Sequence, residues 1–211
     1  VTGLYLEFFI VFLSFLLHEL GHLFFIKLFN YEVKKVTIFP FGGVIDYKFK
    51  SDFLYRYFLI SIGGIIVNLI IYMLSFFLNF TLIKEVNLLF VLINLIPIFP
   101  LDGAKILLFG MKIIFPYYYA KKFIYVFSIL SSLVIFIILY FKFSALILFV
   151  FLCVFIKENI FGYKNFKIEY SQFLLSRSMY KNPSLKKKKI SKFTNPLNSL
   201  FYGYNMIFDF G

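Results

Sequence analysis

Long apolar runs with very few charges recur along this chain, at residues 4–29, 53–80, 86–96, 123–140 and 143–156. The third run resumes after a break and reaches residue 115. A helix crosses the hydrocarbon of a bilayer with about 20 apolar residues, whereas a barrel strand uses about 9–11 and alternates polar with apolar. These runs do not alternate, so they read as helices. Composition agrees: 62% of the 211 residues are hydrophobic, only 15% are charged, and the mean hydropathy is +0.90. A water-soluble globule of this size leaves too much surface exposed to hide so much Phe, Leu and Ile. A soluble enzyme, a disordered chain and a disulfide scaffold are therefore excluded. The lone Cys153 is uninformative about redox compartment. The fold class expected is an all-α polytopic membrane protein.

Between the first two runs, residues 31–50 change character. β-Branched Val36, Thr37 and Ile38 precede Pro40-Phe41-Gly42-Gly43, and Val44 and Ile45 follow. That pattern predicts a short β-hairpin between helices. Gly63 and Gly64 in the second run permit close helix approach. Lys84-Glu85 marks an expected turn, and Pro97, Pro100 and Gly103 interrupt the third run. Net charge is +12, and the stretch after Lys157 is markedly basic. With that tail in the cytoplasm and five spans alternating, Lys34, Lys35, Lys48, Lys50, Arg56, Lys121 and Lys122 fall inside, and only Lys84 and Lys142 fall outside. Residue 1 then lies outside, which hints at a missing first helix. Lys186, Lys187, Lys188 and Lys189 form a basic run that a solvated tail or contact with anionic lipid explains; nucleic acid is not expected as a partner, because no nucleic-acid-binding fold surrounds it.

The first run carries His18-Glu19-Leu20-Gly21-His22, which holds the only two histidines in the chain. Residues i and i+4 share a helix face, so both imidazoles can meet one zinc ion. Glu19 lies beside them and can take a proton from a metal-activated water; this is the short metalloprotease signature. Ionisable groups inside a lipid-spanning helix cost energy and are usually functional or paired. Zinc needs a third protein ligand and an open position. The other acids outside the motif lie in loops or at the flanks of apolar runs, and Asp102 alone lies inside an apolar region, in Asn94-Leu95-Ile96-Pro97-Ile98-Phe99-Pro100-Leu101-Asp102-Gly103. Prolines at membrane depth free backbone groups that only protein or a water-filled cavity can satisfy. Asp102 can serve there as a ligand, as a cap of the helix starting near Ala104, or partly as both.

Taken together these residues resemble the site-2 protease family, the M50-type intramembrane zinc metalloproteases, and most closely its sporulation members. The resemblance rests on the His18–His22 motif, Pro40-Phe41-Gly42-Gly43, Gly63-Gly64 with Asn68, the segment from Asn94 to Gly103 and the tail stretch Phe173-Leu174-Leu175-Ser176-Arg177-Ser178. It implies a site-2 protease-like helical core with one Zn2+ per chain held by His18, His22 and Asp102. It further implies Glu19 as catalytic base and acid, with Asn94 and Pro97 holding substrate. It implies a membrane-associated protein substrate, a sporulation sigma factor precursor of the pro-sigma-K kind, a location in the bacterial cell membrane (the forespore outer membrane), and inhibitory membrane proteins as partners. Two departures matter: the family helix before the His18 helix is missing, and the chain stops where a nucleotide-sensing CBS domain would begin. The expected organisation is therefore a metalloprotease domain over 1–160 and a basic cytoplasmic tail over 161–211, at most the start of that domain. Gly63-Gly64-Ile65 replaces the more usual Ala-Gly-Pro. Other readings remain open: a relative that cleaves anti-sigma factors or signal peptides, a non-catalytic membrane-binding relative, or a transporter with a zinc site.

Overall fold

A computed structural model describes residues 2–39, 42–47, 54–143, 146–179, 186–190 and 204–208. The order is α1 (Thr2–Leu28), β1 (Val33–Phe39), β2 (Gly42–Tyr47), α2 (Leu54–Phe77), α3 (Thr81–Asn94), α4 (Asp102–Ile114), α5 (Tyr117–Phe143), α6 (Leu146–Met179), β3 (Lys186–Ile190) and β4 (Tyr204–Phe208). Among the described residues, three helical segments are long and apolar enough to cross a membrane: Leu4–Leu28, Tyr55–Phe77 and Tyr117–Ile138. Their surfaces are inverted relative to a soluble protein. Phe8, Phe12, Leu74, Phe77, Val134 and Ile138 are exposed, whereas Ser14, His18, His22, Asn68 and Ser128 are buried. Apolar side chains face outward where lipid is the solvent, and polar ones turn inward to find partners. This is an integral membrane protein. The chain divides into two units, Val1–Lys48 with Arg56–Ile96, and Phe49–Tyr55 with Pro97–Gly211.

In the first unit, two asparagines end the long helices. Asn30 (φ 56°) and Asn79 (φ 58°) adopt the left-handed conformation, which Asn tolerates better than most residues. After Asn30, the Tyr31 N–H donates to the Ile26 carbonyl at 3.0 Å. After Asn79, the Phe80 N–H donates to the Ser75 carbonyl at 3.0 Å. Both are Schellman closures, which satisfy carbonyls the helix end would otherwise leave open. The turn between α2 and α3 therefore sits at Leu78–Phe80, and Lys84-Glu85, expected to mark it, lies within α3. Tyr31 folds back with Ile26 and Ile60 into a buried cluster edged by Phe25, Phe29, Val33 and Ile45. The hairpin expected from the β-branched residues is present: β1 and β2 pair antiparallel, with Val36 opposite Ile45 and Thr37 opposite Val44. Its expected turn residues Pro40 and Phe41 lie outside the described residues.

Helices α1 and α2 touch backbone to backbone at Gly21 and Gly63. A Cβ at Gly63 would stand 2.6 Å from the Gly21 carbonyl oxygen, and one at Gly21 would stand 2.8 Å from the Gly63 carbonyl carbon. In lipid such small-residue contacts replace the hydrophobic effect as the source of helix association.

In the second unit the break before α4 is held by side chains. The Phe99 N–H donates to Ser128 Oγ of α5 at 2.8 Å, and Asn159 Nδ2 of α6 donates to the Phe99 carbonyl at 3.0 Å. Both backbone polar groups of Phe99, freed from helical bonding, thus find protein partners, as a lipid surrounding demands. Helix α6 continues through the expected tail to Met179. Gly162 does not break it, because its missing side chain makes room for the Tyr125 ring of α5, which a Cβ would meet at 2.6 Å. Further along, Lys121 of α5 pairs with Glu169 at 2.8 Å, and Tyr117 stacks on Phe173 with centroids 4.3 Å apart. Burial pushes the neighbouring Tyr170 phenol up to about 12. The basic run 186–189 lies in β3, which pairs in parallel with β4.

Two substitutions test these contacts. Gly63→Ala drives a methyl group into the backbone of α1 and should cost about 1–3 kcal/mol, read as a lower unfolding midpoint in detergent. Ser128→Ala strands the Phe99 N–H and should cost a similar ~1–3 kcal/mol by the same measurement.

Candidate metal centre

The His18–His22 pair is built from the first unit alone. Helix α1 stacks the two residues one turn apart, and both are buried. Each ring is oriented by an oxygen on α2. The His18 Nδ1–H donates to Asn68 Oδ1 at 3.0 Å, and the His22 Nδ1–H donates to the Ile60 carbonyl at 2.7 Å. A neutral imidazole that donates through Nδ1 carries its lone pair on Nε2. Here the two Nε2 atoms lie 3.2 Å apart. Two lone pairs facing each other at that distance repel unless a cation stands between or beside them. Gly64 of α2 borders the same spot: a Cβ there would meet His18 Nε2 at 2.5 Å and His22 Nε2 at 2.6 Å. The missing side chain leaves space at the donor atoms. Two borderline-soft nitrogen ligands, each held by an outer oxygen, are the donor set that zinc takes, so these residues fit the metal that the sequence suggests.

Glu19 is half-buried beside them, and its Oε2 is shut off from solvent. Asn94 is the last residue of α3, and its Nδ2 donates to the Phe90 carbonyl at 3.0 Å. Pro97 and Asp102 belong to the second unit. Pro97 is half-buried in the break before α4. Asp102 is buried in the first turn of α4 and accepts a hydrogen bond from Lys105 Nζ at 2.7 Å. The N-cap position is Leu101, and no side-chain cap hydrogen bond closes that helix. Asp102 is thus the first residue of that helix rather than its N-cap, and its charge lies at the favourable end of the helix dipole.

Several polar residues were passed over in the sequence. Asn87 and Ser14 are buried in a hydrogen-bonded chain that reaches Asn68, and Ser128 and Asn159 hold Phe99. The available signal was a small polar residue within an otherwise apolar helix, which in lipid generally needs an internal partner.

Comparison with known proteins agrees with this geometry. Residues 7–86 match Peptidase family M50. Over that segment the chain is similar to the M50 peptidases. It is 30% identical over 186 residues to stage IV sporulation protein FB of Bacillus subtilis (strain 168), covering 82% of this chain and 64% of that protein. It is 32% identical over 114 residues to a zinc metalloprotease of Methanocaldococcus jannaschii, covering 47% of this chain and 32% of that one. The chain thus spans less than two thirds of the length of these relatives. A solved site-2 protease from Methanocaldococcus jannaschii superposes with a TM-score of 0.60 at 24% identity, over 74% of this chain and 76% of that one. The fold is that of the site-2 proteases, as the motifs implied.

Gly64 gives a direct test of the space beside the imidazoles. Gly64→Ala should lower the zinc bound per purified chain by at least about tenfold, the scale on which a disturbed metal site loses affinity. Gly110→Ala is the control, since a Cβ there meets nothing within 4 Å, and it should leave the zinc content unchanged.

Proposed function

We propose that this chain is the membrane-embedded catalytic part of a zinc metalloprotease that hydrolyses a peptide bond of a membrane-associated protein at or within the bilayer. The observation that carries the reading is the His18–His22 pair: two imidazoles buried in an apolar helix, both Nδ1 atoms committed to oxygen acceptors, and both Nε2 atoms brought within 3.2 Å of each other, where one cation can bridge them. His18, His22 and Asp102 are the candidate metal-holding group, all three buried. Two imidazoles and a carboxylate would supply three protein ligands, the number found in catalytic rather than closed structural zinc sites. When bound, zinc polarises the scissile carbonyl and makes water nucleophilic at neutral pH.

The chain's own residues do the rest. Glu19 takes a proton from the attacking water and delivers it to the leaving amide nitrogen. A helical substrate hides its carbonyls in its own hydrogen bonds and must unwind before attack. Asn94, the last residue of α3, and Pro97, within the break before α4, hold the unwound segment. The strand pair β1–β2 either adds a strand of substrate or seals the site from the cytoplasm.

The substrate in this reading is a sporulation sigma factor precursor, supported by the similarity to stage IV sporulation protein FB. With it come a cytoplasmic tail, a forespore outer membrane location and inhibitory membrane partners. Positive charge clustered on one set of loops supports the orientation. In the same reading residues 1–160 are the metalloprotease domain and 161–211 are a basic cytoplasmic tail.

Glu19→Gln, reconstituted in vesicles with the sigma factor precursor, should keep its zinc and its fold and lose cleavage by at least about 100-fold. Normal cleavage would remove Glu19 from the mechanism. His18→Ala and Asp102→Ala should each lose zinc; zinc retained at full stoichiometry in the Asp102 variant would remove Asp102 from the ligand set.

A further inference from the structure

Asn68 stands out in the sequence, yet the cleavage chemistry gives it no task. Its position shows one. Asn68 accepts the His18 Nδ1–H through Oδ1 and donates through Nδ2 to Asn87 Oδ1 of α3 at 3.1 Å. Asn87 in turn donates through Nδ2 to Ser14 Oγ of α1 at 3.1 Å and to the Ile83 carbonyl of its own helix at 2.8 Å. Asn68 and Asn87 are both fully buried.

The direction of this chain is not free. A backbone carbonyl only accepts, so Asn87 must turn its NH2 toward Ile83. Its oxygen then faces Asn68. Asn68 must answer with its own NH2, which turns its oxygen toward His18. His18 must therefore carry its proton on Nδ1 and its lone pair on Nε2. Each amide has one donor end and one acceptor end, so each link copies the polarity of the one before. His22 needs no relay, because its Nδ1–H meets the Ile60 carbonyl directly.

We propose that Asn87, two hydrogen bonds from the His18 ring by way of Asn68, is a positioning residue that sets which nitrogen of His18 faces the metal. It does so by fixing the orientation of the Asn68 amide against the Ile83 carbonyl. Ser14 takes the second Asn87 N–H and ties the relay back to α1, the helix that carries both histidines. The inference rests on the zinc reading above. Without Asn87, the Asn68 amide can turn over and present its NH2 to His18, which then places the lone pair on Nδ1 and the proton on Nε2, where no metal can bind.

The experiment is metal titration of the full chain in detergent, with Co2+ as the probe and its visible absorption as the readout. Asn87→Leu should weaken Co2+ binding roughly 10–100-fold, the usual cost of removing an outer partner of a metal-bound His. Adding Asn68→Asp to Asn87→Leu should restore most of that loss, because a carboxylate has no donor end and holds the His18 Nδ1–H whichever way it turns. A purely structural role for Asn87 predicts no such rescue. Unchanged affinity in Asn87→Leu, or no recovery in the double variant, overturns the relay. If the unaltered chain binds no stoichiometric Co2+ or zinc, the metal reading itself fails, a distinct result. A second measurement needs no variant. In 15N-histidine-labelled, zinc-loaded chain, the only two histidines should both show a protonated Nδ1. A protonated Nε2 on either would overturn the assignment even if the Asn87 variant failed to fold.

Discussion

Two imidazole lone pairs held face to face at 3.2 Å inside an apolar helix bundle are the constraint on which the first unit depends. Neither ring can turn away at low cost, because each Nδ1–H is already committed to an oxygen on α2. That commitment requires α2 to lie close against α1, and the close approach requires Gly21 and Gly63 to present bare backbone to each other. Gly64, one residue further, then has to be bare as well, since its side chain would fall on the donor nitrogens. The glycine pair that reads as a packing motif thus does two jobs one residue apart. Gly63 lets the helices meet, and Gly64 leaves room for what sits between the histidines.

The second unit answers a related problem with different means. Prolines before α4 free backbone groups that in an apolar surrounding only protein or a water-filled cavity can satisfy. Ser128 and Asn159 meet both backbone polar groups of Phe99, so α5 and α6 hold the segment that leads into Asp102. A soluble protein could leave such a break to solvent. Here each freed group carries a penalty of several kcal/mol, of order 4–8 for transfer to hydrocarbon, and two buried side chains are a small outlay against it.

Much of this was legible in the residues. The His18–His22 spacing needs only helical periodicity to be read as a shared face, and the β-branched flanks of Pro40 and Gly43 announced a hairpin that forms. What escaped were features set by distant partners or by single backbone angles. Lys84-Glu85 looked like a turn because charge is rare in this chain, yet the stop is Asn79, whose left-handed φ is not a charge signal. Gly162 suggested nothing to prolong α6, because the ring that fills its space lies on another helix. Asn87 is one polar residue among many apolar ones, and its partner Ser14 is 73 positions away. Sequence marks such a residue as needing a partner but cannot say which one.

The chemistry of the relay also fits its surroundings. An outer-shell carboxylate would fix a histidine tautomer more simply, since it has no wrong end. In a lipid-surrounded core it would also bring a second negative charge beside a site already bordered by Glu19, with a desolvation cost of several kcal/mol. Two amides, a hydroxyl and a backbone carbonyl deliver the same polarity with no net charge. Their weakness is that an amide can turn over, and the remedy is an anchor that cannot. The Ile83 carbonyl is such an anchor, because its direction is set by the α-helix itself. The orientation of a side chain on α1 therefore traces, through two helices, to the fixed polarity of one peptide bond on α3.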